Sequence, residues 1–272
     1  MLETTKEEPA LTVEREILRV NLDKKSVEST KDEIIVESRT ELYVDDECYA
    51  IFFSSPFQIK ELIIGHLITE GIIEKLQDIL SLEISEGKAC VHLSKKLEMS
   101  SARKPRFMLT SCESGAGKIP PQLLKKIMKA KKASNIRFSN HVVSKAVETL
   151  NSLSLLFRKT GGTHASALLD EDGKMMVFAE DIGRHNAVDK VIGRAALEGV
   201  DFSKTLLAST GRLTSEIVVK AAIVGMPAII SLSAPTDKGI KIAEMAGLTL
   251  IGFARGRRFN IYTHPVKIQE TS

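Results

Sequence analysis

The sequence predicts an α/β protein, with a regular C-terminal α/β domain behind a smaller N-terminal α+β domain. Three observations predict it. From Asn140 to the end, apolar runs of strand length alternate with helical segments, the pattern of crossover connections and a largely parallel sheet. Before Leu97, short β-type runs surround one helical stretch. Between the two, the composition shifts to lysine, arginine and small residues. The expected organisation is a polar tail and lead-in over 1–33, a small α+β domain over 34–99, a linker with a cysteine loop over 100–139 and the α/β domain over 140–272.

Composition narrows the class. With 43% hydrophobic and 27% charged residues, 272 residues can bury a substantial core. A net charge of +3 is too small to argue for nucleic acid, although a local basic cluster can hold a phosphate. No apolar run approaches the roughly 18–20 residues of a membrane span. Met1 to Arg15 is polar and acidic, without the basic-then-apolar pattern of a signal peptide, and reads as a loose cytoplasmic tail. Three cysteines, Cys48, Cys90 and Cys112, without an export signal imply reduced thiols. There is no CxxC pair and no HxE followed by PCxxC, so no metal site is expected.

In the smaller unit, Ile34-Ile35-Val36, Leu42-Tyr43-Val44 and Cys90-Val91-His92-Leu93 read as strands. After Ser55-Pro56-Phe57, helical spacing puts Ile59, Leu62, Ile63, His66 and Leu67 on one face, and Gly71 ends the helix. In the larger unit, Val143, Ala146, Val147, Leu150, Leu153 and Phe157 form the buried face of one helix ending before Gly161-Gly162. Asp170-Glu171-Asp172-Gly173 between Ala165–Leu169 and Met175–Phe178 signals a hairpin. A helix follows Asp181. Strands over Leu206–Ala208, Ala228–Leu232 and Leu248–Phe253 then alternate with helices over Ser215–Val224 and Lys238–Ala246.

Ligands of open α/β sheets bind beyond the carboxyl ends of the strands. Those ends read Ser209-Thr210-Gly211-Arg212, Ser233-Ala234-Pro235-Thr236 and Phe253-Ala254-Arg255-Gly256-Arg257-Arg258. Guanidinium forks match phosphate oxygens and glycine lets backbone approach them, so Arg212, Arg255, Arg257 and Arg258 are candidates for an anion such as a diphosphate. Solvated loop charges are the plain alternative. His164 and His185, in Gly161-Gly162-Thr163-His164 and Glu180-Asp181-Ile182-Gly183-Arg184-His185-Asn186, are candidates for proton exchange or for ordering a turn, with Asp181 as a helix cap. Cys112, among small residues and near Lys118, is a candidate nucleophilic thiolate or an inert cysteine; Glu113 opposes its ionisation. Cys48 and Cys90 sit in strand-like runs and read as packing residues.

Taken in order, Ser55-Pro56 with Glu61-Leu62-Ile63-Ile64-Gly65 and Glu70-Gly71-Ile72-Ile73, Thr160-Gly161-Gly162-Thr163-His164-Ala165, and Glu180 to Lys190 resemble the FdhD family of formate dehydrogenase accessory sulfurtransferases. The resemblance continues through Ser209 to Glu216, Ser233 to Thr236 and Gly252 to Arg258. It implies a C-terminal domain similar to cytidine deaminases, without their zinc motif. It implies cysteine persulfide sulfur accepted from a cysteine desulfurase and passed to molybdenum bis(molybdopterin guanine dinucleotide) for formate dehydrogenase. It implies Cys112 as the sulfur carrier, a cofactor segment over Phe253, Ala254, Arg255, Gly256, Arg257 and Arg258, GDP as an analogue of the cargo, and a homodimer without nucleic acid or membrane partners. The family loop often carries a CGxCGK-like cysteine pair; counted back from Gly117-Lys118, Glu113 and Ala116 stand there, with Cys112 one residue ahead. The alternatives are a cofactor-binding chaperone without sulfur transfer and a nucleotide-modifying hydrolase of deaminase-like fold.

Overall fold

The computed structural model describes residues 10–95, 106–108, 124–125, 127–128, 136–265 and 268–269. The chain opens on a hairpin of two ten-residue strands, β1 (Thr12–Asn21) and β2 (Ser26–Ile35). The polar lead-in expected over 1–33 therefore contains regular structure. Val13 and Ile17, four residues apart among charged neighbours, share one face of β1, a strand pattern that the polar composition conceals.

A five-stranded sheet follows, built from β3 (Ser38–Val44), β4 (Glu47–Ser54), β5 (Ile79–Ser85), β6 (Lys88–Leu93) and β7 (Arg106–Met108), in the order β5-β6-β3-β4-β7. Helix α1 (Ile59–Thr69) lies between β4 and β5 in the chain and packs Leu62, Ile63 and Leu67 onto this sheet. The expected single apolar face is too narrow: Ile64, Gly65 and His66 are buried as well. Another helix covers the far side of α1, so only Lys60 in its first turn is exposed.

Short β8 (Phe138–Ser139) leads into α2 (Asn140–Leu153), capped by Ser139 Oγ, which accepts from Val142 N. The single helix expected here breaks at Ser154. A separate turn, α3 (Leu155–Thr160), follows and leaves Phe157 51% exposed instead of in the core. The break has a local cause, because the Glu180 carboxylate accepts from the Leu156 and Phe157 amides and starts a new helix.

The remaining strands are β9 (His164–Leu169), β10 (Met175–Asp181), β11 (Leu206–Ser209), β12 (Ala228–Ser231), β13 (Thr249–Arg255), β14 (Arg258–Thr263) and β15 (Ile268–Gln269). The helices between them are α4 (Arg184–Leu197), α5 (Ser215–Ile223) and α6 (Asp237–Ala246). The six-stranded sheet has the order β10-β9-β11-β12-β13-β14. Its centre, β11-β12-β13, is parallel, while β10-β9, β9-β11 and β13-β14 are antiparallel. The largely parallel sheet expected from β/α alternation is thus confined to the three strands joined by helices; the hairpins at each flank turn the direction back. Two cores clothe it. Helices α4, α5 and α6 cover one face through Val188, Ile192, Val218 and Ile242 against Leu168, Leu207 and Ile229. Helix α2 covers the other through Val143, Val147 and Leu150 against Ala167, Leu169 and Ile230. Ile127, in the stretch expected as a linker, is 1% exposed within the first core.

The two sheets are joined through α1 and α4, which cross at two glycines. A Cβ at Gly65 would lie 1.8 Å from the Asp189 carbonyl oxygen, and one at Gly193 would lie 1.9 Å from that of Glu61. Backbone meets backbone there, an approach any larger residue forbids.

Candidate functional site

The sheet topology gathers one edge. The carboxyl ends of β10, β11, β12 and β13 and the amino end of β9 all lie along it, because β9 runs antiparallel to both neighbours. His164, Arg212 and the segment from Phe253 belong to this edge, as does His185 in the first turn of α4.

Hydrogen bonds stitch the edge from strand to strand. Thr210 N donates to the Ala165 carbonyl at 3.0 Å, and Thr210 Oγ1 accepts from Ala165 N at 3.0 Å while lying 3.2 Å from His164 Nδ1. Ser231 Oγ donates to the Gly211 carbonyl at 2.6 Å and accepts from Ser233 N at 2.9 Å. The Ser233 carbonyl in turn accepts from Phe253 N at 2.9 Å. The half-buried Thr210 hydroxyl and the buried Ser231 hydroxyl thus satisfy backbone groups that the ends of the ladder leave unpaired.

Phe253 to Arg258 departs from the expected loop. Strand β13 continues through Arg255 and returns as β14, so the segment is a hairpin tip with Gly256-Arg257 in its turn and Arg255 paired with Arg258. A register shift between Gly252 and Arg255 carries Phe253 into left-handed backbone, φ 52°, with its side chain 41% exposed. Arg255, Arg257 and Arg258 are exposed, and among the described residues no carboxylate pairs with them or with Arg212. Like charges placed opposite on a hairpin repel, and an anion between them relieves that repulsion. Arg212 follows the end of β11, two strands across the sheet from β13.

Beside the arginines lies a less exposed cluster. Arg184 is 7% exposed and its side chain runs across Gly211, where a Cβ would come 2.8 Å from Arg184 Cβ. His185 Nε2 lies 3.1 Å from Glu216 Oε2, without the alignment of a hydrogen bond. Burial holds His185 below the ordinary imidazole value, with Arg184 and Lys220 adding to the effect and Glu216 opposing it. Burial, then Arg184 and His185, lower His164 likewise. Both imidazoles are therefore neutral near pH 7 and offer hydrogen bonds in place of charge.

Asp181 is not a side-chain cap for α4. Its N-cap is Gly183. Asp181 is instead the centre of a buried network, accepting from Ser55 N, Gly183 N and Asn186 Nδ2 and pairing with Lys190 at 2.6 Å. Asp189, one turn beyond His185 on α4, faces away from the edge. It pairs with Lys220 at 2.8 Å and lies 3.5 Å from His66 Nδ1. Arg184, Thr210 and Glu216 stand within the motifs quoted above but have no role assigned there, and Ser231 lies within an expected strand. A polar run at a strand-to-helix junction is their one signal.

Cys112 lies outside the described residues. Cys48 and Cys90 are in strands as expected, but both are half-buried. Each pairs with Tyr43 from an opposite side of β3 on the face turned from α1. Burial pushes the Cys48 thiol up, which suits an unreactive residue. Among the described residues no group of three or more His, Cys, Asp or Glu side chains could hold a metal ion, and no helix is long and apolar enough to cross a membrane.

Comparison with known proteins meets this architecture along almost its whole length. The sulfur carrier protein FdhD of Wolinella succinogenes is 36% identical over 250 residues, covering 90% of this chain and 86% of that protein. That of Sulfurisphaera tokodaii is 38% identical over 248 residues, covering 89% and 94%. That of Thermoplasma volcanium is 40% identical over 227 residues, covering 80% and 81%. A crystal structure from Desulfotalea psychrophila, assigned as a formate dehydrogenase accessory protein, superposes with a TM-score of 0.77 at 23% identity over 96% of this chain and 100% of that one, which shows a shared fold. The model of the FdhD/NarQ family matches residues 35–269, and the chain belongs to that family.

Proposed function

We propose that the chain is a cytoplasmic sulfur carrier that takes sulfur from a cysteine desulfurase on Cys112 and passes it to molybdenum bis(molybdopterin guanine dinucleotide) for formate dehydrogenase. The observation that carries this reading is the single sheet edge that holds the arginine hairpin Arg255–Arg258, Arg212, His164 and His185. The relatives' name as sulfur carriers supports it. In this reading the Cys112 thiolate attacks the outer sulfur of the donor persulfide. A new S–S bond forms, the donor S–S bond breaks, and the donor leaves as a thiolate. Delivery as sulfide needs two electrons, from the metal centre or an external thiol, and returns Cys112 as a thiolate. The guanidinium groups grip the diphosphate of the cargo, and the neutral imidazoles hydrogen-bond to it.

Chain geometry supports the pairing of thiol and edge. Met108 on β7 pairs with Phe52 on β4, and the neighbouring Phe53 carbonyl accepts from Asn186 Nδ2 in the first turn of α4 at 2.8 Å. Cys112 is the fourth residue after Met108, a span of at most about 14 Å. That length is comparable to the separation of Met108 from the first turn of α4 implied by these pairings, which supports the reading.

Glu113 and Ala116, at the two positions where the family loop often carries cysteines, favour a second reading, a cofactor chaperone that transfers no sulfur. One pair of measurements separates the two. After incubation with a cysteine desulfurase and cysteine, mass spectrometry should find one added sulfur atom, on Cys112, and Cys112→Ala should mature no formate dehydrogenase. An unmodified Cys112, or normal maturation by Cys112→Ala, ends the carrier reading. Loss of GDP binding in Arg257→Ala alongside that normal maturation selects the chaperone.

A further inference from the structure

Arg184 opens α4 at the candidate edge, and its side chain is built into the fold. It is 7% exposed, whereas Arg212, Arg255, Arg257 and Arg258 are all exposed. Gly211, between Thr210 and Arg212 after the end of β11, forms the bed for its stem. A Cβ there would lie 2.8, 2.9 and 3.3 Å from Arg184 Cβ, Cδ and Cγ. The bed is itself fixed from two strands, since Gly211 N donates to Ser209 Oγ at 3.2 Å and the Gly211 carbonyl accepts from Ser231 Oγ. The neighbours locate the charged end. His164 on β9 and His185 on α4 both feel the positive charge of Arg184, which adds to burial in keeping each imidazole neutral. The guanidinium therefore stands near two uncharged rings, beside the amino end of β9 and the carboxyl end of β11.

We propose that Arg184 is the principal anion-binding residue of this edge, holding a phosphate group of a diphosphate ligand, with the exposed arginines as an outer ring. The inference rests on the reading of the edge as a diphosphate site and deepens it. Three physical differences favour Arg184. An exposed arginine loses rotamer freedom when it grips a ligand, whereas a stem already laid on Gly211 has lost it on folding, so more of its attraction remains for the ligand. Water and salt screen the charges of the hairpin tip but screen an enclosed guanidinium far less. A fork held in one orientation also selects its ligand, because it meets two oxygens of one tetrahedral phosphate together.

Calorimetric titration of the full chain with inorganic pyrophosphate, and separately with GDP, tests it. Arg184→Met keeps a stem on Gly211 and removes the charge. It should weaken pyrophosphate about tenfold or more, the size of one charge-assisted hydrogen bond, with an unchanged circular dichroism spectrum. Arg184→Lys keeps the charge without the fork and should weaken pyrophosphate by less. NMR titration should find His164 and His185 both easier to protonate in Arg184→Met and both close to wild type in Arg184→Lys, a pattern that a bracing role alone does not produce. Gly211→Ala, which displaces the stem, should weaken pyrophosphate with every arginine in place. Pyrophosphate held as tightly by Arg184→Met as by wild type, while Arg257→Ala weakens it, overturns the proposal and leaves the hairpin arginines as the site. A wild type that binds neither pyrophosphate nor GDP overturns the proposal and the diphosphate reading together.

Discussion

Asp181 and Lys190 form an ion pair of 2.6 Å whose side chains are both wholly buried. It sits where the two sheets meet. Asp181 accepts from Ser55 N and Lys190 Nζ lies 3.3 Å from the Ser55 carbonyl, so the pair clasps the turn after β4 to the helix that begins at the candidate site. Burial pulls Lys190 below the ordinary amine value, and Asp181 holds it up. Such a pair adds little over an apolar replacement of both partners, but removing one strands the other.

Lys190→Met should therefore cost about 3–5 kcal/mol, seen as a lower urea midpoint at unchanged m-value. Asp181→Asn combined with Lys190→Met should recover part of that loss. A single variant as stable as wild type would mean that water reaches the pair.

Gly65→Ala should destabilise by about 3 kcal/mol, at the upper end of overpacking costs, because the new methyl meets the Asp189 carbonyl at 1.8 Å and neither helix backbone can give locally. Thermal unfolding measures it. Gly193→Ala should behave alike, since its methyl meets Glu61 at 1.9 Å.

The two depressed imidazoles make a pH prediction whose sign is determined. Folded His164 and His185 bind protons less readily than their ordinary 6.5, so the unfolded chain takes up more protons on acidification. Their contribution is complete above about pH 6.5 and is lost as pH falls through the folded values. Melting temperature should decline from pH 7 toward pH 5, and His185→Gln should flatten that decline. Glu216→Gln removes the one neighbour at His185 that favours the charged form by ion pairing, so NMR titration should find His185 harder still to protonate.

Local patterning by itself determined the α/β class, the β9–β10 hairpin, the strands β11, β12 and β13 and the helices between them, because each is written in residues close together in the chain. It also determined that the polar runs ending those strands share an edge, since a strand–helix–strand crossover brings parallel strands back in the same direction. Pairing across long separations decided the rest. Phe157 lost its core position because Glu180, distant in sequence, caps a new helix beneath it. The arginine segment became a hairpin because β14 returns along β13, and Asp181 became an ion-pair centre because Lys190 and Ser55 converge on it. A sequence displays periodicity and chemistry residue by residue. Which of its charges lose their water depends on what packs over them, and that is settled by the whole chain at once.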